Sequence, residues 1–336
     1  MCSNAQNSNP GAVKAAEESP YIVVIPLYND WEALLLLLAN LDKELKQSSP
    51  VDILVVDDAS SMPMPSDFSK NCKFRMIRKI DVLKLGRNLG HQRAIVIALA
   101  YINERHQCRA IIIMDADGED SPADVPRLIE ANRNNDGRII FAERAKRSEV
   151  WLFKLLYSIF KICFYGLTGA HINFGNFSII PCCVLERMVI VSELWNHYPA
   201  GVLKARLPYD KIPTIRDTRL TGKSQMSLIS LVSHGLSAIS AFSDTIGIRG
   251  LIGTLCLIFL TIFMIMGIIT IRAFTELAIP GWASYMLASL IIILIQSFIL
   301  TIFFIFMTLQ SRNYSHFIPK RDYKFFLLKI ENVYEQ

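Results

Sequence analysis

Several signatures that would settle the chemistry quickly are missing from this chain. It has seven cysteines in 336 residues. None of them (Cys2, Cys72, Cys108, Cys163, Cys182, Cys183, Cys256) forms a Cys-x-x-Cys pair or a His-containing zinc spacing. A zinc module is therefore excluded, and reduced thiols in a cytosolic setting are expected. No Gly-x-x-x-x-Gly-Lys-Ser/Thr run is present, so this is not a P-loop kinase. No Gly-x-Gly-x-x-Gly follows the first apolar run, which disfavours a dinucleotide-binding fold. Charge is sparse, at 19% of residues with a net value of +5. Without a dense Lys/Arg run, nucleic acid is not an expected partner; the mild basic excess suits an anionic membrane leaflet instead. Residues 1–19 are polar and lack an apolar core segment, so a disordered tail is expected there rather than a signal peptide. Internal repeats and low-complexity tracts are also lacking.

Apolar residues are plentiful, at 52%, and most of the excess lies after Gly250. The runs Leu251–Ile271 and Ile279–Leu309 are each long enough to cross a hydrocarbon core of ~30 Å at ~1.5 Å per residue. Arg219, Lys223 and Arg249 precede the first run, and Arg312, Lys320, Arg321 and Lys324 follow the second. The connector carries only Arg272 and Glu276. The positive-inside rule then places the catalytic region and both termini in the cytoplasm and the connector outside. Two further segments, Glu149–Gly169 and Met226–Ser243, read as amphipathic helices lying at the membrane surface, with a plain core helix as the alternative for the first. The expected organisation is a tail over 1–19, a catalytic domain over 20–224, a juxtamembrane helix over 225–249, two transmembrane helices over 250–310 and a cytoplasmic tail over 311–336.

The first half alternates between strand and helix patterns. Tyr21–Leu27, Val51–Val56, Phe74–Ile80 and Ala110–Met114 are short β-branched runs, with Arg138–Phe141, Phe177–Ile180 and Ile212–Ile215 as weaker candidates. Helical periodicity fills Trp31–Leu45, Leu89–Glu104 and Pro122–Asn134. This alternation predicts an α/β domain built on a mostly parallel sheet.

Such sheets bind ligands at the carboxyl ends of their strands. Three acidic clusters fall there: Asn29-Asp30, Asp57-Asp58 and Asp115-Ala116-Asp117-Gly118-Glu119. Gathered carboxylates repel one another, and a divalent cation relieves that repulsion. Residues spaced by two in extended chain face the same side, so Asp115 and Asp117 can share one ion, with Glu119 as a third ligand. Mg²⁺ or Mn²⁺ suits this donor set, because such an ion takes one or two carboxylates and completes its shell with substrate phosphates.

The ordered segments PLYND, VVDDAS, LGRNLGHQRAI, MDADGEDSP, ERAKRSE, FGNFSII and RLTGKSQMS resemble the family-two glycosyltransferases of GT-A fold. More narrowly, they are similar to the polyprenyl-phosphate glycosyltransferases. The resemblance implies a Rossmann-like sheet with flanking helices and direct, inverting transfer from a nucleotide diphosphate sugar to a polyprenyl phosphate. It places Pro26, Tyr28 and Asp30 in the nucleotide pocket and Asp57 and Asp58 against base and ribose. Asp115 and Asp117, with Glu119, would hold the metal. Arg144 and Arg147 would bind the acceptor phosphate, and Arg219 and Ser224 belong to a loop that closes over the diphosphate. Asp117, Arg144, Arg147 and Arg219 are thus the expected catalytic set. Asp30, Gly118-Glu119-Asp120, Gly175-Asn176-Phe177 and Gln225 depart from the family pattern and leave the donor open.

Acid–base chemistry bears on the acceptor. A sugar hydroxyl needs a general base, whereas a phosphate monoester, with a second pKa near ~6, is already largely dianionic at neutral pH. The basic segment Arg144, Lys146 and Arg147 suits the phosphate, and Asn176 cannot act as a base. Two alternatives stand beside this reading. One is transfer to a hydroxyl of a lipid-linked glycan with Asp120 or Asp124 as base; the other is a non-catalytic membrane subunit. Membrane lipid is an expected partner in each case, and a homo-oligomer is left open.

Overall fold

The computed structural model describes residues 19–66, 68, 73–135, 137–144, 151–214, 219–220, 228–275, 281–313 and 317–336. The chain divides into two compact units. One comprises Met1–Lys161, Ala170–Ala241 and His316–Gln336, and the other comprises Ile162–Gly169 and Phe242–Ser315.

The first unit is built on a sheet whose strands are β1 (Tyr21–Leu27), β2 (Val51–Asp57), β3 (Ile77–Leu85), β4 (Ala110–Ile113), β5 (Ile139–Arg144), β6 (Ser178–Pro181), β7 (Tyr209–Thr214) and β8 (Leu327–Glu335). Their order is β7-β5-β6-β4-β1-β2-β3-β8. β6 and β8 run antiparallel to their neighbours and the other pairings are parallel. Every residue of β1 is buried, as expected of a central strand covered on both faces. One face is covered by α1 (Trp31–Glu44) and α3 (Asp124–Asn134). The other is covered by α2 (His91–Arg105), α5 (Cys182–Met188) and α6 (Tyr198–Lys204). Between them in sequence lies α4 (Trp151–Thr168), whose residues from Ile162 onward belong to the other unit, and α7 (Leu228–Ser240) closes the series in this unit.

Three differences from the sequence reading have physical causes. β3 occupies Ile77–Leu85 rather than Phe74–Ile80, because Lys79, Asp81 and Lys84, which interrupt the apolar run, are paired. Asp81 accepts from Asn332 at 3.1 Å and bridges Lys79 at 2.8 Å, while Lys84 meets Glu331 at 2.8 Å. Two of these partners lie on β8, and that is the second correction. The segment 311–336 is not a tail throughout, because Leu327–Glu335 forms an edge strand pairing β3 from Lys79↔Glu335 to Leu85↔Leu327. Its charged residues suit an edge. Third, α5 and α6 went unanticipated, since seven residues each are too few for a 3.6-residue period to emerge. Cys183 also departs from the all-thiol expectation, being disulfide-bonded, whereas Cys108, Cys163, Cys182 and Cys256 are free.

The second unit is a pair of long helices, α8 (Ser243–Phe274) and α9 (Trp282–Asn313). Both are apolar enough to cross a membrane. Their shared face is made of small and hydroxylated residues. Thr301 Oγ1 donates to Thr254 Oγ1 at 3.0 Å, and Gly247 and Gly250 leave room for Thr308 and Phe304. Close approach through small residues with interhelical hydrogen bonds is how helices associate in lipid. Phe259, Phe263, Phe298 and Phe306 point away from the pair and are exposed.

Candidate active site

The loops that leave β1 and β2 are stitched together at the carboxyl edge of the sheet. Asn29 adopts a left-handed backbone, φ 59°, which Asn tolerates better than most residues. Its N–H donates to Ser60 Oγ at 2.9 Å, and its Oδ1 accepts from the Met62 N–H at 2.9 Å. The Trp31 indole donates to the Met62 carbonyl at 3.1 Å, and Asp57 Oδ1 accepts the Ser60 N–H at 2.9 Å. Pro26 lies in β1 beyond its last β4 partner, Val24, where a missing N–H removes no β1–β4 bond. Tyr28 is exposed and Asp30 half-buried beside it.

Asp58, like Asp57 at 7% exposed, is buried. It is 2% exposed, and its two carboxylate oxygens accept the backbone N–H groups of Leu89 and Gly90 at 2.7 Å each. Burial raises its pKa despite these bonds. Its observed contacts pin the loop before α2, and this accounts for α2 starting at His91 rather than Leu89.

The Asp115–Glu119 turn follows β4. Ala116 is buried while Asp115 and Asp117 on either side of it are half-buried. The Asp115 N–H donates to Asp120 Oδ2 at 3.1 Å, and the Glu119 N–H donates to Asp117 Oδ1 at 3.0 Å. Asp120 is thus a turn former, 5% exposed, and Asp124, 6% exposed, is ion-paired with Arg127.

Across this turn lies Arg219. One guanidinium nitrogen is 3.0 Å from Asp30 Oδ2 and the other 3.8 Å from Asp117 Oδ2. The next residue docks by its backbone, with the Leu220 N–H donating to the Asp117 carbonyl at 3.0 Å. Its side chain lies over Gly118, where a Cβ would fall 2.4 Å from Leu220 Cγ; Gly118 has φ +80°. Glycine is therefore required here twice, for backbone conformation and for space. The β1 and β4 loops and the segment after β7 thus meet at one clasp.

Arg144 ends β5, paired with Thr214 of β7, so its backbone reaches the same edge. Its side chain, together with Arg147, Lys146 and Ser224, lies outside the described residues. Among the described residues, no group of three or more His, Cys, Asp or Glu side chains is gathered as a metal cage. Glu119 lies half-buried in the same turn as the two aspartates, its N–H on Asp117 Oδ1. Asp115 and Asp117 still fit an ion such as Mg²⁺, which takes few carboxylates and relies on substrate phosphates.

Sequence reasoning missed a polar array on the α2 side of this edge. Gln92, 7% exposed, accepts the Tyr198 N–H through Oε1 at 2.6 Å. Through Nε2 it donates to Asn176 Oδ1 at 2.8 Å and to His91 Nε2 at 2.9 Å. Nearby, His197 Nε2 and His234 Nε2 are 3.2 Å apart, and the Ala200 N–H donates to His197 Nδ1 at 3.2 Å. Burial lowers the pKa of His197 to about 3 and of His234 to about 4. The only sequence trace was His91-Gln92 at the start of an apolar helix, which reads as an ordinary first turn.

A family model described as glycosyl transferase family 2 matches residues 22–195. The uncharacterized glycosyltransferase YkcC of Bacillus subtilis is 24% identical over 81% of this chain and 83% of its own length. The undecaprenyl-phosphate 4-deoxy-4-formamido-L-arabinose transferase of Serratia proteamaculans is 26% identical over 66% of this chain and 68% of its own. Among solved structures, glucosyl-3-phosphoglycerate synthase from Mycobacterium tuberculosis, in complex with Mn²⁺, UDP-glucose and phosphoglyceric acid, superposes with a TM-score of 0.50. It is 13% identical over 72% of this chain and 85% of its own, a likeness of fold.

Proposed function

Because the chain belongs to glycosyl transferase family 2 and has the GT-A fold, we propose that it moves one sugar from a nucleotide diphosphate sugar to a polyprenyl phosphate at the cytoplasmic membrane face. The observation that carries this reading is the clasp of Arg219 and Leu220 on Asp30, Asp117 and Gly118. It puts a cation and a closing segment directly over the metal-type turn, where a departing diphosphate needs both. The stitched loops at Asn29, Ser60 and Asp57 form the nucleotide side, with Pro26 and Tyr28 shaping its floor. Asp115 and Asp117 would hold a divalent ion, which when bound stabilises the negative charge that develops on the leaving diphosphate. Arg219 exchanges its carboxylate partners for phosphate oxygens, to which a guanidinium is well matched, and Ser224 continues the same loop.

The acceptor half of the reading rests on several supports. Undecaprenyl phosphate is named for relatives such as the Serratia transferase. Asp120 and Asp124 are engaged elsewhere, which weighs against a hydroxyl nucleophile. Arg144 and Arg147 supply the cations that a dianionic nucleophile requires, and inversion by direct displacement follows from attack opposite the leaving group. The apolar pair α8 and α9 supports a membrane protein, and exposed Val232 and Leu236 on α7 support an in-plane helix. Pairing of β8 with β3 supports an even number of crossings between Ala241 and His316, because the chain returns to the sheet it left.

The test is to incubate membranes containing the full chain with a panel of nucleotide sugars and divalent ion, then weigh the extracted lipids. The expected product is a prenyl phosphate heavier by one sugar residue. It should be absent with Asp117→Ala and, reversibly, with a chelator. Full product formation by Asp117→Ala in excess chelator contradicts the reading.

A further inference from the structure

The hydrogen-bond array around Gln92 has a fixed direction. A backbone N–H can only donate, so the Tyr198 N–H identifies the Gln92 atom 2.6 Å away as the carbonyl oxygen. The other end of Gln92 is therefore the NH₂ group, which can only donate. Its two hydrogens go to Asn176 at 2.8 Å and His91 at 2.9 Å. Asn176 must then offer its oxygen to Gln92, leaving its own NH₂ turned away. His91 must offer unprotonated Nε2, which leaves Nδ1 as the N–H. One buried glutamine thus converts two neighbouring side chains into hydrogen-bond donors.

Both donors lie at the carboxyl edge. His91 opens α2 directly after the loop that leaves β3 and is exposed. Asn176 is half-buried and precedes β6. β6 pairs β5 through Phe141↔Ser178, and the Ala142 N–H bonds the Phe177 carbonyl at 2.9 Å. Continuing that antiparallel register sets Asn176 opposite Glu143, next to Arg144. On the other side, β6 lies beside β4, whose end carries Asp115. Asn176 therefore lies between the basic end of β5 and the metal-type turn, and Gln92 reaches it from α2. The array also belongs to the sheet face of α2 and α6, whereas Leu220 packs with α1 and α3 on the opposite face.

We propose that Gln92 is a positioning residue that holds the Asn176 amide and the His91 ring as donors to an anionic oxygen. On the acceptor reading given above, on which this inference rests, that oxygen belongs to the acceptor phosphate. A dianionic phosphate monoester presents acceptors and no donor, and two fixed N–H groups match it. A hydroxyl nucleophile would need an acceptor at this spot to take its proton, and the polarity set by Gln92 denies it one. The array thus selects for a nucleophile that arrives already charged.

The experiment measures binding of farnesyl phosphate, farnesol and UDP with Mn²⁺ to the detergent-solubilised full chain. Wild-type protein should bind farnesyl phosphate at least about tenfold more tightly than farnesol, the scale of a charge-assisted hydrogen bond. Equal binding of the two would sink the acceptor-phosphate reading itself. Asn176→Asp, which is isosteric, should erase most of that preference while farnesol and UDP affinities stay put. Gln92→Glu keeps an acceptor for the Tyr198 N–H but has no N–H for Asn176, so the amide should turn over and aim its oxygen outward. In that background Asn176→Ala should strengthen farnesyl phosphate binding, whereas in the wild-type background it should weaken it. A merely structural role for Gln92 gives no such reversal of sign. Should Gln92→Glu fail to fold, as judged by its melting curve, Asn176→Asp decides alone. Unchanged farnesyl phosphate affinity in Asn176→Asp, or the same sign for Asn176→Ala in both backgrounds, overturns the inference. A loss confined to UDP assigns the pair to the donor diphosphate and overturns the acceptor assignment.

Discussion

At the scale of single residues, residue type proved a better guide than availability. Asp57 and Asp58 are adjacent and identical in sequence, yet Asp57 stays with the stitched loops while Asp58 is spent on two backbone N–H groups. Asp120 and Asp124 likewise read as possible bases until their partners are known. A sequence announces a carboxylate but not what it accepts, because the partners come from loops distant in the chain. Gly118 is the converse case, since its necessity depends on Leu220, a hundred positions away in broad terms but in contact in the fold. Gly118→Ala should lower the melting temperature of the sheet domain by a few degrees, the cost of a strained backbone, and slow transfer by up to roughly a hundredfold, as a misplaced closing segment would. Steady-state rates beside a melting curve check this, and a wild-type rate contradicts it. The His197–His234 pair makes a pH prediction. Both rings are buried neutral, with pKa values lowered to about 3 and about 4 from an ordinary 6.5. The unfolded chain therefore binds more protons than the folded one between those limits, so stability is complete above about 6.5 and falls as the pH drops below it. Melting of the solubilised protein from pH 8 to pH 5 should show this decline, and it should be shallower for His234→Gln. A melting temperature that rises as pH falls through this window contradicts the assignment.

Among secondary-structure elements, the strongest signals were periodic and local. β1, β2, β4, α1 and the two long apolar helices were legible because each is a continuous run of one pattern. β3 was misplaced, and β8 was missed, for a single reason: the polar residues that interrupt both runs find partners across the β3–β8 ladder, through the Lys84–Glu331 ion pair and the Asn332–Asp81 hydrogen bond. Neither strand makes sense without the other, and they lie far apart in sequence. The residue just before the edge strand, Phe326, accepts the Gly86 N–H through its carbonyl at 2.9 Å at the start of the loop before α2. Deleting residues 327–336 should therefore expose an apolar edge on β3 and lower the melting temperature by more than ~5 °C, a loss of at least about 1 kcal/mol. Thermal unfolding with light scattering measures it. A truncated chain that melts like the intact one would mean that β8 contributes nothing to the sheet.

For the molecule as a whole, composition was informative in a different way. The sharp change in hydropathy after Gly250 separated a sheet domain from a membrane pair, and both are present. The chain then returns to the sheet, which composition alone could not disclose. The family's outline was legible from the order of its motifs, while the clasp at Arg219 and the Gln92 array emerged only once distant segments were brought to one strand edge. The central claim is that the nucleophile is a lipid phosphate that needs no base from the protein. Its most direct measurement follows sugar transfer, from whichever nucleotide sugar the panel identifies, to undecaprenyl phosphate and to undecaprenol across pH 5 to 8. The account predicts transfer to the phosphate alone, with the rate falling as pH drops through its second ionisation near ~6. Transfer to undecaprenol, or to a glycan hydroxyl in place of the lipid phosphate, would contradict it.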